Sequence, residues 1–215
     1  MADALNFRPY DPAWPARFAQ EKARLLGALG ELTEGGWVEN IQHIGSTSVP
    51  GLAAKACIDI LMAAWPLPLP AEAVAQLEGL GYRYHGENGI PGREYFTRGP
   101  HDVHLHVTTG DSDLWVEHLL FRDYLRANPE AARTYQQRKR ELARDFDQHR
   151  DRYQEGKAPV IAKLLHEARQ WYRDHVGFGP VQEAARELAA FSRPWYVASG
   201  WALDLYLGHV SRVHH

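Results

Sequence analysis

Hydrophobic and polar positions follow two different periods along this chain, and the places where the period switches divide it into strands and helices. Phe18, Leu25 and Leu29 recur at helical spacing. They follow Asp11-Pro12-Ala13-Trp14-Pro15, whose carboxylate and prolines suit a helix start. A helix is therefore predicted to about Leu29, with Gly35-Gly36 breaking the pattern after it. Residues 37–44 read as a strand. Gly45-Ser46-Thr47-Ser48 reads as a turn that opens a short helix, soon limited by Pro50-Gly51. Residues 57–63 are almost continuously apolar, the mark of a strand covered on both faces.

A helix is predicted over residues 71–80, ended by Gly81. Strands are predicted over 82–85, 94–98 and 103–109, with a glycine-punctuated loop, residues 86–92, between the first two. From Ser112 the pattern turns helical over about 112–127, 129–150 and 157–173, with Pro129 fitting a first turn. Strands first and helices afterwards favour an α/β (α+β) fold, a mixed β-sheet flanked by helices with a helical C-terminal part. Gly177-Phe178-Gly179-Pro180 reads as a linker. Beyond it a helix (181–191), a strand (195–198) and a helix start (200–207) are expected. The division is thus 1–175 as the main domain and 176–215 as a tail too short to bury a core of its own.

Composition narrows the partners. Lys+Arg number 24 and Asp+Glu 27, a net charge of −3. That balance gives no broad electrostatic footprint for nucleic acid or an anionic membrane. One cysteine, Cys57, permits no intrachain disulfide and suits a reducing compartment. The N-terminal residues show no apolar leader, and no apolar run is long enough to span a bilayer. A cytoplasmic location is expected.

Three groups of residues could carry chemistry. The first is His43-Ile44-Gly45-Ser46-Thr47-Ser48, then Lys55, then Ile58-Asp59-Ile60. A glycine turn brings backbone amides close to a phosphate, hydroxyls add donors, and a carboxylate on the next strand is where a divalent cation would sit. The same residues also read as a capped turn beside a structural aspartate. The second is Val103-His104-Leu105-His106-Val107, in which alternation places His104 and His106 on one strand face. Two such histidines bind a metal or phosphate, act as acid and base, or simply face solvent. Alternation likewise groups Cys57, Asp59 and Leu61; no basic residue adjoins Cys57, which argues against a nucleophile. The third is a scatter of cations, Lys55, Arg93, Arg122 and Lys139, whose meaning depends on convergence in space. Adjacent helix residues do not face each other, so Arg122 and Asp123 are not expected to pair. The charge run 136–152 reads as the wet face of a long helix.

Taken together these motifs resemble the GrpB family. The matching segments are Tyr10-Asp11-Pro12-Ala13-Trp14-Pro15, His43 to Leu52 with Lys55, Ile58-Asp59-Ile60, Gly89-Ile90-Pro91-Gly92-Arg93, His104-Leu105-His106-Val107 and Leu120 to Arg126, in that order. The resemblance implies a nucleotidyltransferase-like fold. In that superfamily a Gly-Ser turn holds a triphosphate, and an acidic pair binds the divalent metal, Mg²⁺ or Mn²⁺, that aligns an acceptor for attack on the α-phosphorus. Gly45-Ser46 matches the turn and Asp59 the first acid. By the same resemblance Gly45, Ser46, Thr47, Ser48, Lys55, Arg93, Arg122 and Lys139 would contact a nucleotide or other phosphate-containing small molecule. Asp59, His104 and His106 would serve as metal ligands and catalytic groups. The position of the second acid holds Leu61. Either the histidines adapt the site to a transition metal, or another acid such as Glu94 contributes, or transfer has been lost. Domains of this family also occur fused to dephospho-CoA kinase. That implies an alternative role, a non-catalytic nucleotide- or CoA-binding module supporting a protein partner. Residues 195–205 resemble the opening of an aminoglycoside nucleotidyltransferase-like domain, which the chain does not complete.

Overall fold

A computed structural model of the chain describes residues 7–31, 34–100, 102–146 and 149–177, with residues 179, 182, 183 and 186. Residues 182, 183 and 186, within the helix expected over 181–191, are helical; the rest of what is expected beyond residue 180 lies outside the described residues. In chain order the elements are α1 (Trp14–Leu29), β1 (Val38–Ile44), a single 3₁₀ turn (Ser46–Ser48), β2 (Ile58–Ala64), α2 (Ala71–Gly79), β3 (Tyr82–Tyr84), β4 (Glu94–Arg98), β5 (Val103–Thr108), α3 (Asp113–Ala127), α4 (Pro129–Asp145) and α5 (Arg150–His175).

Five strands form one sheet in the order β1-β2-β5-β4-β3. The β2–β5 pair is parallel and the others antiparallel, so the sheet is mixed, as expected. Register fixes what each face carries, because directly paired residues point the same way. Ile41, Ile60, Met62, Leu105, Val107 and Phe96 share a face, which α1 and α2 cover through Trp14, Leu25, Leu29, Ala73 and Leu77. The other face carries Ile44, Leu61 and Ala63, which α3 covers with Trp115 and Leu119. That covering stops short of the strand ends at Asp59 and His104, and there the sheet opens into a cleft.

The last two helices differ from expectation. The predicted helix 129–150 ends at Asp145, and α5 begins at Arg150 rather than near Lys157, running through Pro159. A proline forfeits one helical hydrogen bond; packing of the buried Tyr153 in the turns before it holds the segment helical all the same. A Cβ on Gly156 would overlap the side chain of Leu142, so glycine permits the close crossing of α4 and α5. That crossing carries Tyr153 and Lys157 to the cleft. Nor is the 136–152 charge run simply a wet face: Gln136 Oε1 accepts from the Ala53 amide at 2.6 Å, and Lys139 is buried.

Candidate functional site

A cavity of about 630 Å³ lies where the amino-terminal ends of the parallel strands β2 and β5, on the sheet's open face, meet α4 and α5. Gly45, Ser46, Thr47, Lys55, Asp59, Arg93, His104, His106 and Lys139 all line it. Residues from six separate segments thus converge, which no single motif could guarantee. Ser48 and Arg122 do not line this cavity.

The floor is Asp59 beside the Gly45 turn. Gly45 has φ 69° and ψ −174°, and a Cβ there would overlap the Asp59 carboxylate. Parallel pairing of β2 with β5 sets Asp59 opposite His104, and His104 Nδ1 lies 3.1 Å from Asp59 Oδ1. Burial alone would push the Asp59 carboxyl up. The hydrogen bond from His104, with the positive charge of Lys157, outweighs it and holds the group below its usual range. Cys57, Asp59 and His104 offer ligand atoms all within 4.8 Å of one another. His106 lies outside that cluster. Its Nδ1 faces Arg93 Nη1 at 3.3 Å, and burial lowers its pKa to about 3. A guanidinium only donates, so His106 Nδ1 accepts and the ring is neutral with its proton on Nε2.

The three hydroxyls divide their work. Thr47 Oγ1 donates to the Cys57 carbonyl and is met by His43 Nε2, while Ser48 Oγ donates to the Gly45 carbonyl. Both fasten the turn. Ser46 Oγ instead accepts from Lys139 Nζ at 2.7 Å. Lys139 also donates to the Ala53 carbonyl and sits over the rings of Phe7 and Tyr135. Burial, with Lys157 close by, lowers its pKa to about 7. Arg93 is anchored by the carbonyls of Glu87 and Asn88 and lies 4.8 Å from the Tyr95 ring centre.

Two expectations are corrected here. Arg122 and Asp123 do pair, with Nε to Oδ1 at 2.7 Å and Nη2 to Oδ2 at 2.9 Å. The long guanidinium stem curls back over the helix surface, a reach that the spacing of helix positions does not measure. Arg122 also donates to Gln42 Oε1 and the His43 carbonyl, tying α3 to β1. Glu94 pairs in register with Val107, so it points to the α2 side of the sheet. There it accepts from the Leu69 amide and the Tyr84 hydroxyl, and it cannot join Asp59.

Sequence reasoning passed over several lining residues. Tyr135 lies one turn before Lys139 on α4, a spacing that could have revealed it. Lys157 was legible only as a helix start. His118, on α3, carries no motif at all. Cys57 was weighed as a nucleophile and not as a ligand; burial pushes its thiol up.

Comparison with known proteins gives the chain its relatives. The family described as GrpB protein matches residues 4–167. A UPF0157 protein of Pseudomonas aeruginosa is 40% identical over 171 residues, covering 76% of this chain and 67% of its own. A UPF0157 protein of Bacillus subtilis is 37% identical, covering 75% of this chain and 46% of its own, so the chain spans less than half of that relative. The crystal structure of the conserved protein GrpB from Enterococcus faecalis matches with a TM-score of 0.69 and 37% identity, covering 76% of this chain and 96% of that one. A dephospho-CoA kinase of Mycolicibacterium paratuberculosis is 28% identical over 207 residues, covering 80% of this chain and 47% of the kinase. The chain belongs to the GrpB family. Among the described residues, no helix is long and apolar enough to cross a membrane.

Proposed function

We propose, from the premise that this is a GrpB-family chain, that its cleft binds the phosphates of a nucleotide and transfers the nucleoside monophosphate to a small acceptor. One observation carries the reading: the Asp59–His104 pair lies at the floor of a cavity also lined by Lys55, Arg93, Lys139 and Lys157. Four cations around one carboxylate suit an anionic ligand bridged to a divalent cation. The donor set of Cys57, Asp59 and His104, with a sulfur and an imidazole nitrogen, fits a borderline cation such as Zn²⁺ better than the hard Mg²⁺ or Mn²⁺. When bound, that cation would supply Lewis-acid polarisation of the phosphoryl oxygens.

The chain's own residues do the rest. Lys139, from α4, and Arg93, from the loop before β4, neutralise phosphate charge. Ser46, held by Lys139, presents its hydroxyl to the cavity that Asp59 also lines. His104 orients that carboxylate through Nδ1. His106, neutral and fixed by Arg93, offers an N–H donor. The reading predicts metal-dependent pyrophosphate release that Asp59→Ala abolishes; full activity in that variant would sink it.

A second reading, a nucleotide- or CoA-binding module supporting a partner enzyme, is favoured by Leu61. The position two residues past Asp59 is fully buried beneath α3 and holds no acid. The likeness to a dephospho-CoA kinase points the same way. It predicts ligand binding without turnover, and stoichiometric pyrophosphate release would remove it.

A further inference from the structure

A second cavity of about 250 Å³ opens from the cleft between α3, α4 and α5. It shares Gly45, Ser46, His118 and Tyr135 with the main cavity, and its remaining walls are chiefly Val49, Phe121, Leu125, Ile161 and Leu165. The two charges beside it are already paired. Glu117 accepts from Arg169, and Arg122 is held by Asp123, Gln42 and His43. Among the described residues, an ionic ligand would find no uncommitted counter-charge lining that pocket. A neutral body with an apolar ring or chain matches the walls.

His118 stands where the two cavities meet. Its Nδ1 lies 2.8 Å from the Leu114 carbonyl, which can only accept, so Nδ1 carries the proton and Nε2 is the acceptor of the neutral ring. Burial favours that neutral state. The junction therefore offers one acceptor nitrogen beside an apolar pocket, next to the turn at Gly45 and Ser46.

We infer that this side pocket is a second binding site, for a small neutral alcohol whose hydroxyl donates to His118 Nε2. The inference rests on the nucleotide reading of the main cleft, in which that alcohol is the acceptor. Its oxygen bonds to the α-phosphorus as the bond from that phosphorus to pyrophosphate breaks, and the hydroxyl proton passes to His118 Nε2.

Benzyl alcohol is the probe. It would be titrated into the full chain while the His118 ring protons are followed by NMR, with toluene as the control lacking a hydroxyl. We expect saturable shifts of the His118 signals and tighter binding of benzyl alcohol than toluene. Losing one neutral hydrogen bond in His118→Leu, with binding then followed on the ring protons of Phe121 in the same pocket, should erase a preference of about fivefold. Leu165→Trp, or Ile161→Phe should the first fail to fold, fills the pocket and should remove the shifts. Shifts of His118 that persist in a folded pocket-filling variant, or no shift in wild type, overturn the proposal. Triphosphate-induced stabilisation is read separately on the same variants. If it is intact while benzyl alcohol fails to bind, the pocket assignment falls alone; if it is absent in wild type, the nucleotide reading falls.

Discussion

The α-carbon of Gly45 stands where any side chain would overlap the Asp59 carboxylate, and its backbone, at φ 69° and ψ −174°, adopts a conformation almost confined to glycine. The turn and the acid are therefore one device, since the carboxylate reaches its place against the chain only because Gly45 has no Cβ. Gly45→Ala should cost about 1–3 kcal/mol of stability from the strained backbone alone, and it should displace Asp59. Urea unfolding measures the first effect and metal-dependent ligand binding the second. An alanine variant as stable as wild type, with binding intact, would contradict the coupling.

Leu61 sets the limit on reconstructing a two-acid site. It is fully buried against Ile44, Trp115 and Leu119. Leu61→Asp should destabilise the fold by about 3 kcal/mol or more, because an unpaired carboxylate would replace a packed side chain. Denaturant midpoints test this. A stable variant with stronger metal binding would show that α3 yields more easily than its packing indicates.

Lys139 should make stability depend on pH. Its folded pKa of about 7 lies below the ordinary lysine value of 10.5, so between those values the unfolded chain holds more protons. By linkage, this group's contribution rises with pH across that window and is lost as pH falls to about 7, with a limiting slope of about 1.4 kcal/mol per pH unit. Lys139→Met should flatten the slope in unfolding curves recorded from pH 7 to 10. Binding of a triphosphate at pH 8 should draw a proton onto Lys139, seen as a buffer-dependent heat in calorimetry. Equal heats in buffers of different ionisation enthalpy would speak against that coupling.

Arg122 should matter to the fold more than to the phosphate site. It joins α3 to β1 and pairs with Asp123 outside the main cavity. Arg122→Ala should lower stability by about 2 kcal/mol through its lost charged hydrogen bonds. Triphosphate affinity should change little. A large loss of affinity at unchanged stability would place the guanidinium on the ligand instead.

Much of the fold was legible because periodicity and punctuation agree. The apolar run before Ala64, the glycine at 81 and the serine at 112 bound elements close to where the structure has them. Strand alternation correctly grouped His104 with His106. The helical region was less legible. The break after Asp145 interrupts a polar run with no glycine or proline, and α5 continues through Pro159 because tertiary packing overrides the local signal. In the site, the motif residues were visible because they sit on the strand ends and the turn. Lys157, Tyr135 and His118 come from distant helices, and only the crossing at Gly156 and the packing of α3 bring them in. Glu94 shows the converse. An acid on a neighbouring strand was plausible until antiparallel register turned it to the opposite face.

The central claim is that Asp59 binds a cation jointly with phosphate in the cleft, and thermal unfolding of wild type and Asp59→Asn tests it most directly. Each of the four nucleoside triphosphates and CoA would be added, alone and with Zn²⁺ or Mn²⁺. Ligand binding to the native state raises the midpoint according to its excess over the dissociation constant. The account predicts a rise for at least one triphosphate that requires one of these cations and disappears in a folded Asp59→Asn variant. An equal rise in both proteins, or none for any triphosphate in wild type, would contradict it.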